Sequence, residues 1–332
     1  MVTMAWSRRR VLELAALAAP LGASSAQTAR AGSRRIGVLW LGGESTVFGP
    51  VSRQGFFRDG LRRYGWIEGQ NLTIESRYVG TGLNLSTPVE QLLSAKVDVI
   101  VAMASPIALA AKDMTASVPI VFVVFGDPVE FGLIDSLAHP GGNLTGIYMP
   151  TAEHAGKRLG LLHEAVPGST RIAVLKFPNS RARLETRITE AAAGKLGVEL
   201  VDVKVDAISE LEPALIACKK SGATAVTILA EPRASVNLGR IAEVSLAQGL
   251  PSIAGYAGFA WLGGFMAYGA DGHEGFIRAA YFVARILQGE RPADLPVEQS
   301  TKYVLALNKK TARTLRMRFP KSLIQYADFV IP

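Results

Sequence analysis

Two acids, Asp127 and Glu231, stand at matched points in the two halves of this sequence, each followed directly by a proline. A carboxylate at such a turn can pair with the ammonium group of a bound molecule, or it can bond its own backbone two residues on. Ser105 precedes Pro106, and proline there marks the first turn of a helix. Its hydroxyl and the free N–H groups of that turn can hold a carboxylate or act as an ordinary cap. Trp40, Phe48, Tyr256, Phe259, Trp261 and Tyr268 fall in or beside the same loops. As a group they suit the apolar walls of a small-molecule site, although any one of them alone more often belongs to a core. The chemistry on offer is recognition of a small molecule.

Reactive sets are missing from the sequence. There is no Gly-x-Ser-x-Gly elbow, no His-Glu-x-x-His, no phosphate loop ending in Gly-Lys-Ser/Thr and no Gly-x-Gly-x-x-Gly after the first strand. His139, His154, His163 and His273 are scattered without ligand spacing, and Cys218 is the only cysteine. Neither a disulfide within the chain nor a cysteine metal cluster can form. The sequence therefore offers no catalytic residue, no metal site and no cofactor.

These residues must be positioned by a fold, and 332 residues, 49% hydrophobic and 19% charged, are enough for two domains with substantial cores. The formal charge is +8, and without residues 1–26, which carry Arg8, Arg9, Arg10 and Glu13, 33 basic groups face 27 acidic ones. That balance is mild. Lys302, Lys309, Lys310, Arg313, Arg316, Arg318 and Lys321 gather near the C-terminus, but apolar residues interrupt them. They read as a solvated face or a docking surface, with no nucleic-acid partner expected.

Residues 7–13 are basic, Leu14 to Leu21 are mainly apolar, and a small-residue run ends at Ala26. This is the form of a cleavable export signal, and the apolar part is too short to span a bilayer. The paired arginines after Ser7 resemble a twin-arginine signal, with Val11 and Glu13 departing from it. The expected location is the periplasm, without a membrane span in the mature chain.

Along the rest of the chain, short apolar runs alternate with helical patterns, the form of parallel βαβ units. Strands are expected at Arg35–Trp40, Leu72–Tyr78, Val97–Met103 and Ile120–Phe125, with helices between them. After the turn at Pro140 to Asn143 a second series begins: helix Ala152–Ala165, strand Arg171–Lys176, helix Ala182–Leu196 and onward. Two similar α/β halves result. In open parallel sheets, ligands bind beyond the carboxyl ends of the strands, so two facing sheets would enclose one cleft.

A resemblance adds to this reading. GDPVEFGLIDSLAHPGGNLTG from Gly126 to Gly146 is similar to the hallmark segment of the ABC-transporter substrate-binding family that includes tryptophan- and tyrosine-binding lipoproteins. RRIGVL at Arg34, ALAAK at Ala108, GKRLGLL at Gly156, YG at Tyr268 and DLPVEQSTKYVLALNKKTARTL at Asp294 extend it over the chain after the signal. The resemblance implies an α/β type I periplasmic-binding-protein clamshell with two Rossmann-like lobes and parallel sheets. The lobes are expected at 34–147 plus about 270–290, and at 148–269 plus about 291–332. From loop position and the family pattern, the contact residues expected are Trp40, Gly42, Ser105, Asp127, Asn143, Asn179, Glu231, Tyr256 and Tyr268.

Met103-Ala104-Ser105-Pro106 and Phe177-Pro178-Asn179 depart from the hydroxyl-rich and Asn-Pro patterns of the family, which leaves the solute open. The implied partners are a small-molecule ligand and ABC permease subunits in the membrane, with the protein itself monomeric. An exported sensing subunit for a receptor and an exported enzyme on the same scaffold are the other readings.

Overall fold

Strands form where β-branched and other apolar residues run without interruption, because a parallel strand is covered on both faces. The computed structural model describes residues 33–42, 53–80, 84–177 and 183–332. In the first half β1 (Arg34–Leu41), α1 (Arg53–Arg63), β2 (Leu72–Val79), α2 (Ser86–Ser94), β3 (Val99–Met103), α3 (Ser105–Met114), β4 (Ile120–Phe125) and β5 (Leu144–Met149) follow one another. Every residue of β3 and β5 is buried.

The second half continues with α4 (Ala155–Ala165), β6 (Arg171–Lys176), α5 (Arg183–Leu196), β7 (Glu199–Lys204), α6 (Leu211–Lys220) and β8 (Ala225–Ile228). Then come α7 (Pro232–Val236), α8 (Leu238–Ala247), β9 (Ser252–Ala254), β10 (Met266–Ala270) and α9 (Gly272–Leu287). The chain ends with β11 (Glu298–Gln299), β12 (Tyr303–Asn308), α10 (Lys309–Thr314), α11 (Lys321–Tyr326) and β13 (Phe329–Ile331).

The strands assemble into two sheets, ordered β11-β5-β4-β3-β1-β2 and β13-β12-β10-β9-β8-β6-β7. All pairs are parallel except β10 with β12. Helices cover both faces of each sheet, so each half has two apolar layers. The expected α/β class with two mostly parallel sheets is what the chain forms.

Strand β5 was not expected, because Thr145 and Gly146 interrupt its apolar run. Both are explained by their neighbours. The Thr145 hydroxyl donates to the Leu295 carbonyl at 2.7 Å inside the protein. Gly146 lies at φ +153°, and a Cβ there would stand 2.1 Å from the Phe122 carbonyl oxygen.

The chain passes between the halves three times: after β5, between β10 and α9, and between β11 and β12. Helix α9 leaves the second sheet and packs on β3, β4 and β5 of the first. The third passage differs from the expected boundary near 291: residues 291–299 run with the first sheet, since β11 pairs with β5 and Leu295 joins the core beneath it. Side chains and backbone tie the passages together. Tyr303 donates to the Pro150 carbonyl at 3.2 Å, the Asp271 N–H to the Lys302 carbonyl at 2.9 Å, and Lys302 pairs with Asp271 at 2.8 Å.

Candidate functional site

The carboxyl ends of both sheets meet at an aromatic contact. Phe125, the last residue of β4, lies edge-on to Tyr256 just beyond β9, with ring centroids 5.1 Å apart. Its ring packs on the core of the second half although its backbone belongs to the first sheet. Around this contact, the first sheet supplies Gly42 after β1 and the start of α3 after β3. The second supplies Phe177 after β6, Ala230 and Glu231 after β8, and Gly255 and Tyr256 after β9.

On the first side, Ala104 rather than Ser105 is the cap of α3, with extended backbone and no side-chain bond. Ser105 is the first helical residue, and its hydroxyl donates to the Phe125 carbonyl at 3.3 Å, which ties the helix start to the end of β4. Pro106 has no N–H to offer, so the N–H groups of Ser105 and Ile107 are the donors of this turn that lack a partner within the helix.

On the second side, the Tyr256 hydroxyl donates to the Glu231 carbonyl at 3.0 Å, and a Glu231 carboxylate oxygen accepts from the Phe177 N–H at 3.2 Å. Burial holds the Tyr256 phenol well above its ordinary pKa of 10, with Glu185 and Glu231 adding to the effect. It therefore acts as a neutral donor at physiological pH.

Beneath these loops lies a buried ion pair that the sequence reading missed. Arg158 of α4 bonds Glu185 of α5, and both side chains are 2% exposed. Arg158 also donates to the Thr151 carbonyl at 2.9 Å, in the first passage between the halves. The Glu185 carboxylate accepts from the Ala230 N–H at 3.1 Å. Burial pushes the Glu185 carboxyl up, while the Arg158 guanidinium and the Ala230 N–H oppose that push. Gly255 leaves room for the pair, because a Cβ there would lie 3.2 Å from the guanidinium carbon and press Arg158 aside by a few tenths of an ångström. A signal was present in the sequence: Arg158 shares the buried face of α4 with Ala155, Leu159, Leu162 and Ala165, at helical spacing.

The expected contact residues divide. Gly42, Ser105, Glu231 and Tyr256 all lie at the carboxyl ends of their sheets, whereas Asn179 and Phe48 fall outside the described residues. Trp40 points into the first core, edge-on to Phe57 at 6.2 Å and 1% exposed, so it is no wall of the site. The Asp127 carboxylate accepts from the Val129 N–H at 2.8 Å, the self-bonded turn. Asn143 precedes β5 at the opposite end of the sheet, and its amide donates to the Thr115 and Val118 carbonyls at 3.0 and 2.7 Å. It closes the turn between α3 and β4.

Tyr268 sits in the region of the passages between the halves, beneath Lys157, whose ammonium lies 4.5 Å from the ring centroid. Its neighbour His154 packs on Tyr303 with centroids 3.7 Å apart. Burial lowers the His154 pKa from 6.5, and Arg158 and Lys157 lower it further against a smaller opposing effect of Glu153. Because the folded value lies below the unfolded one, the stability from the neutral ring is complete above about pH 6.5 and is lost as pH falls through the folded value. Calorimetry at pH 7 and pH 5 is expected to show a smaller drop in Tm for His154→Phe than for the unaltered protein. Equal drops would mean that His154 does not carry the effect.

Among the described residues no group of three or more His, Cys, Asp or Glu is placed to hold a metal ion. Nor is any helix among them long and apolar enough to cross a membrane. The arrangement can hold a small molecule between two sheets with aromatic contact, helix-turn N–H donors on one side and a carboxylate on the other.

Comparison with known proteins agrees with this geometry. The sequence model of the ABC transporter substrate binding protein family matches residues 51–331. The tyrosine-binding protein of Clostridioides difficile strain R20291 is 24% identical over 274 residues, covering 80% of this chain and 77% of that protein. Among solved structures, a conserved domain protein from Vibrio cholerae O1 biovar El Tor overlays with a TM-score of 0.78 at 23% identity, covering 90% of this chain and 99% of that one. The ABC domain in complex with L-Trp from Streptococcus pneumoniae gives 0.75 at 20% identity, covering 89% and 100%. The ligand-free, open structure of a substrate binding protein with adhesive properties from Clostridium difficile gives 0.65 at 21%, covering 90% and 99%. These structures share the fold.

Proposed function

This chain belongs to the ABC transporter substrate binding protein family, and from that premise we propose that it is the extracytoplasmic solute-binding component of an importer. It captures a small molecule between its two halves and releases it unchanged to permease subunits in the membrane. The observation that carries this reading is the meeting of the two sheets' carboxyl ends at Phe125 and Tyr256, beside three passages of the chain between the halves. It supports hinge closure, in which a solute stabilises the closed state by touching both sides.

The proposed contacts are Gly42, the helix start at Ser105, Phe125, Glu231 and Tyr256, with Asn179 beside them in sequence position. Carboxylate recognition at the helix start, pairing of an ammonium with Glu231 and aromatic contact together favour a carboxylate-bearing solute with an aromatic or branched group. The named relatives include a tyrosine-binding protein and a complex with L-Trp, which supports an amino acid or a similar acid. Export through the signal in residues 1–26, by a twin-arginine or a general route, completes the reading.

A thermal-shift screen of amino acids, aromatic acids, sugars and nucleosides tests it, followed by mass analysis of the recovered solute. One class is expected to raise Tm, and at a hundredfold excess over Kd the stabilisation amounts to about 2.7 kcal/mol. Recovery of an altered compound would replace this reading with an enzyme. Absence of any shift across all four classes would count against the solute classes proposed.

A further inference from the structure

The basic residues near the C-terminus play no part in the site described above. From 299 to 327 the sequence contains seven lysines and arginines and no aspartate or glutamate. Lys302 pairs with Asp271 at the passage between the halves. The other six, Lys309, Lys310, Arg313, Arg316, Arg318 and Lys321, make no ion pair within the described protein, whereas arginines elsewhere are paired repeatedly, as at Arg171, Arg240, Arg278 and Arg285.

These six follow one another from α10 to the start of α11, and five of them are exposed while Lys309 is half-buried. Between them Thr311, Ala312, Phe319 and Leu323 are buried, the last three in the core that includes residues of the second sheet and α4. That leaves Lys310, Arg313, Arg316, Arg318 and Lys321 exposed. Tyr326, in the same stretch, is 79% exposed, and Phe329 just beyond it is 43% exposed with Trp261 against it at 4.9 Å. The two acids at the margin are already engaged: Glu164 accepts from Ser322 and Asp328 from the Leu305 N–H. Strand β12 begins at a passage between the halves and ends where α10 starts, so this face lies at the end of the second half away from the cleft.

We infer that this face docks on an anionic phospholipid surface. Unpaired cations on flexible stems are drawn to acidic headgroups and reach them without a shaped pocket. An exposed tyrosine at the edge of such a field suits the boundary between headgroups and acyl chains. A protein partner would be expected to find a groove or a central buried anchor, and this stretch offers a run of exposed cations instead. Docking here keeps the cleft clear, so opening and closing continue while the protein stays at the membrane. The inference does not depend on which solute is bound.

The full chain is mixed with vesicles of phosphatidylcholine alone and of phosphatidylcholine with phosphatidylglycerol, and binding is read by sedimentation. Residues 1–32 are the same in every variant, so a difference between variants belongs to the basic face. Binding to the anionic vesicles is expected to fall about tenfold between low and high salt, because screening shortens the reach of each charge. The triple variant Lys310→Glu, Arg313→Glu, Arg316→Glu should lose at least about tenfold more, and Tyr326→Ser about threefold. Should the triple variant unfold, Tyr326→Ser and the single variant Arg313→Glu, each compared with the unaltered protein, decide alone.

Equal binding of variants and unaltered protein, or indifference to phosphatidylglycerol, overturns the inference, and an acidic protein surface then becomes the occupant to seek. Solute binding measured by thermal shift on the same samples separates failure of this inference from failure of the proposed function.

Discussion

Arg158→Ala is expected to lower the unfolding free energy by about 3 to 5 kcal/mol, the cost of leaving a buried charge without its partner. Exposed ion pairs elsewhere, such as Arg291 with Asp294, contribute far less, because water screens both charges. Burial decides the difference, since Arg158 and Glu185 have no water to take up the lost interaction. The deficit should be smaller at pH 5 than at pH 8. Burial already pushes the Glu185 carboxyl up, and without Arg158 its folded pKa rises further above the unfolded value. Protonation at low pH then removes the stranded charge, and its benefit is lost as pH rises.

Urea unfolding at the two pH values measures both statements. A loss below about 1 kcal/mol at pH 8 would mean that water reaches the pair. A second variant, Arg158→Met with Glu185→Leu, separates folding from positioning. Replacing both charges by apolar groups of similar volume should restore most of the stability. It cannot restore the bonds to the Thr151 carbonyl and the Ala230 N–H, so solute affinity should remain about tenfold lower, equivalent to one lost hydrogen bond's worth of alignment. Full affinity in this variant would show that the pair serves stability alone.

Gly269→Ala is expected to cost about 3 kcal/mol, near the upper end of overpacking effects. A Cβ at this position of β10 would stand 1.8 Å from the Gly255 carbonyl oxygen. Backbone, unlike the tip of a flexible side chain, cannot swing aside, so the segment carrying Tyr256 must move. Stability and solute affinity should therefore fall together. Chemical unfolding and a binding titration on the one variant check this, and a stable variant with normal affinity would refute the close approach.

Gly269 also shows how much of the fold was legible. The Tyr-Gly pair at 268 and 269 stood out in the sequence by family resemblance, but its reason is a contact with a loop at 255 that no local pattern reveals. Strands with continuous apolar runs, such as Ile120–Phe125 and Arg171–Lys176, were readable to the residue, because burial on both faces fills their interior with apolar side chains. Strand β5 was not, since its threonine and glycine answer to partners far along the chain.

For the candidate site, position at the end of a strand led to Glu231 and Tyr256, which lie at the carboxyl end of their sheet, but could not separate them from Asp127, whose carboxylate turns back on its own loop. Asn143 followed the family segment to the wrong end of the sheet. Arg158 and Glu185 were passed over because charged residues are usually exposed, although both occupy the apolar faces of their helices.

The three passages between the halves also set an order of synthesis. The first sheet lacks its edge until residue 299 is made, and the second until residue 331, while α9 must return from one half to cover the other. Bonds such as Thr145 to Leu295 and Tyr148 to Gln299 span about 150 residues. A growing chain can thus complete the first half only when about nine-tenths of these residues are made and the second only with β13, and no single cut separates the two. The halves are made, and lost, together.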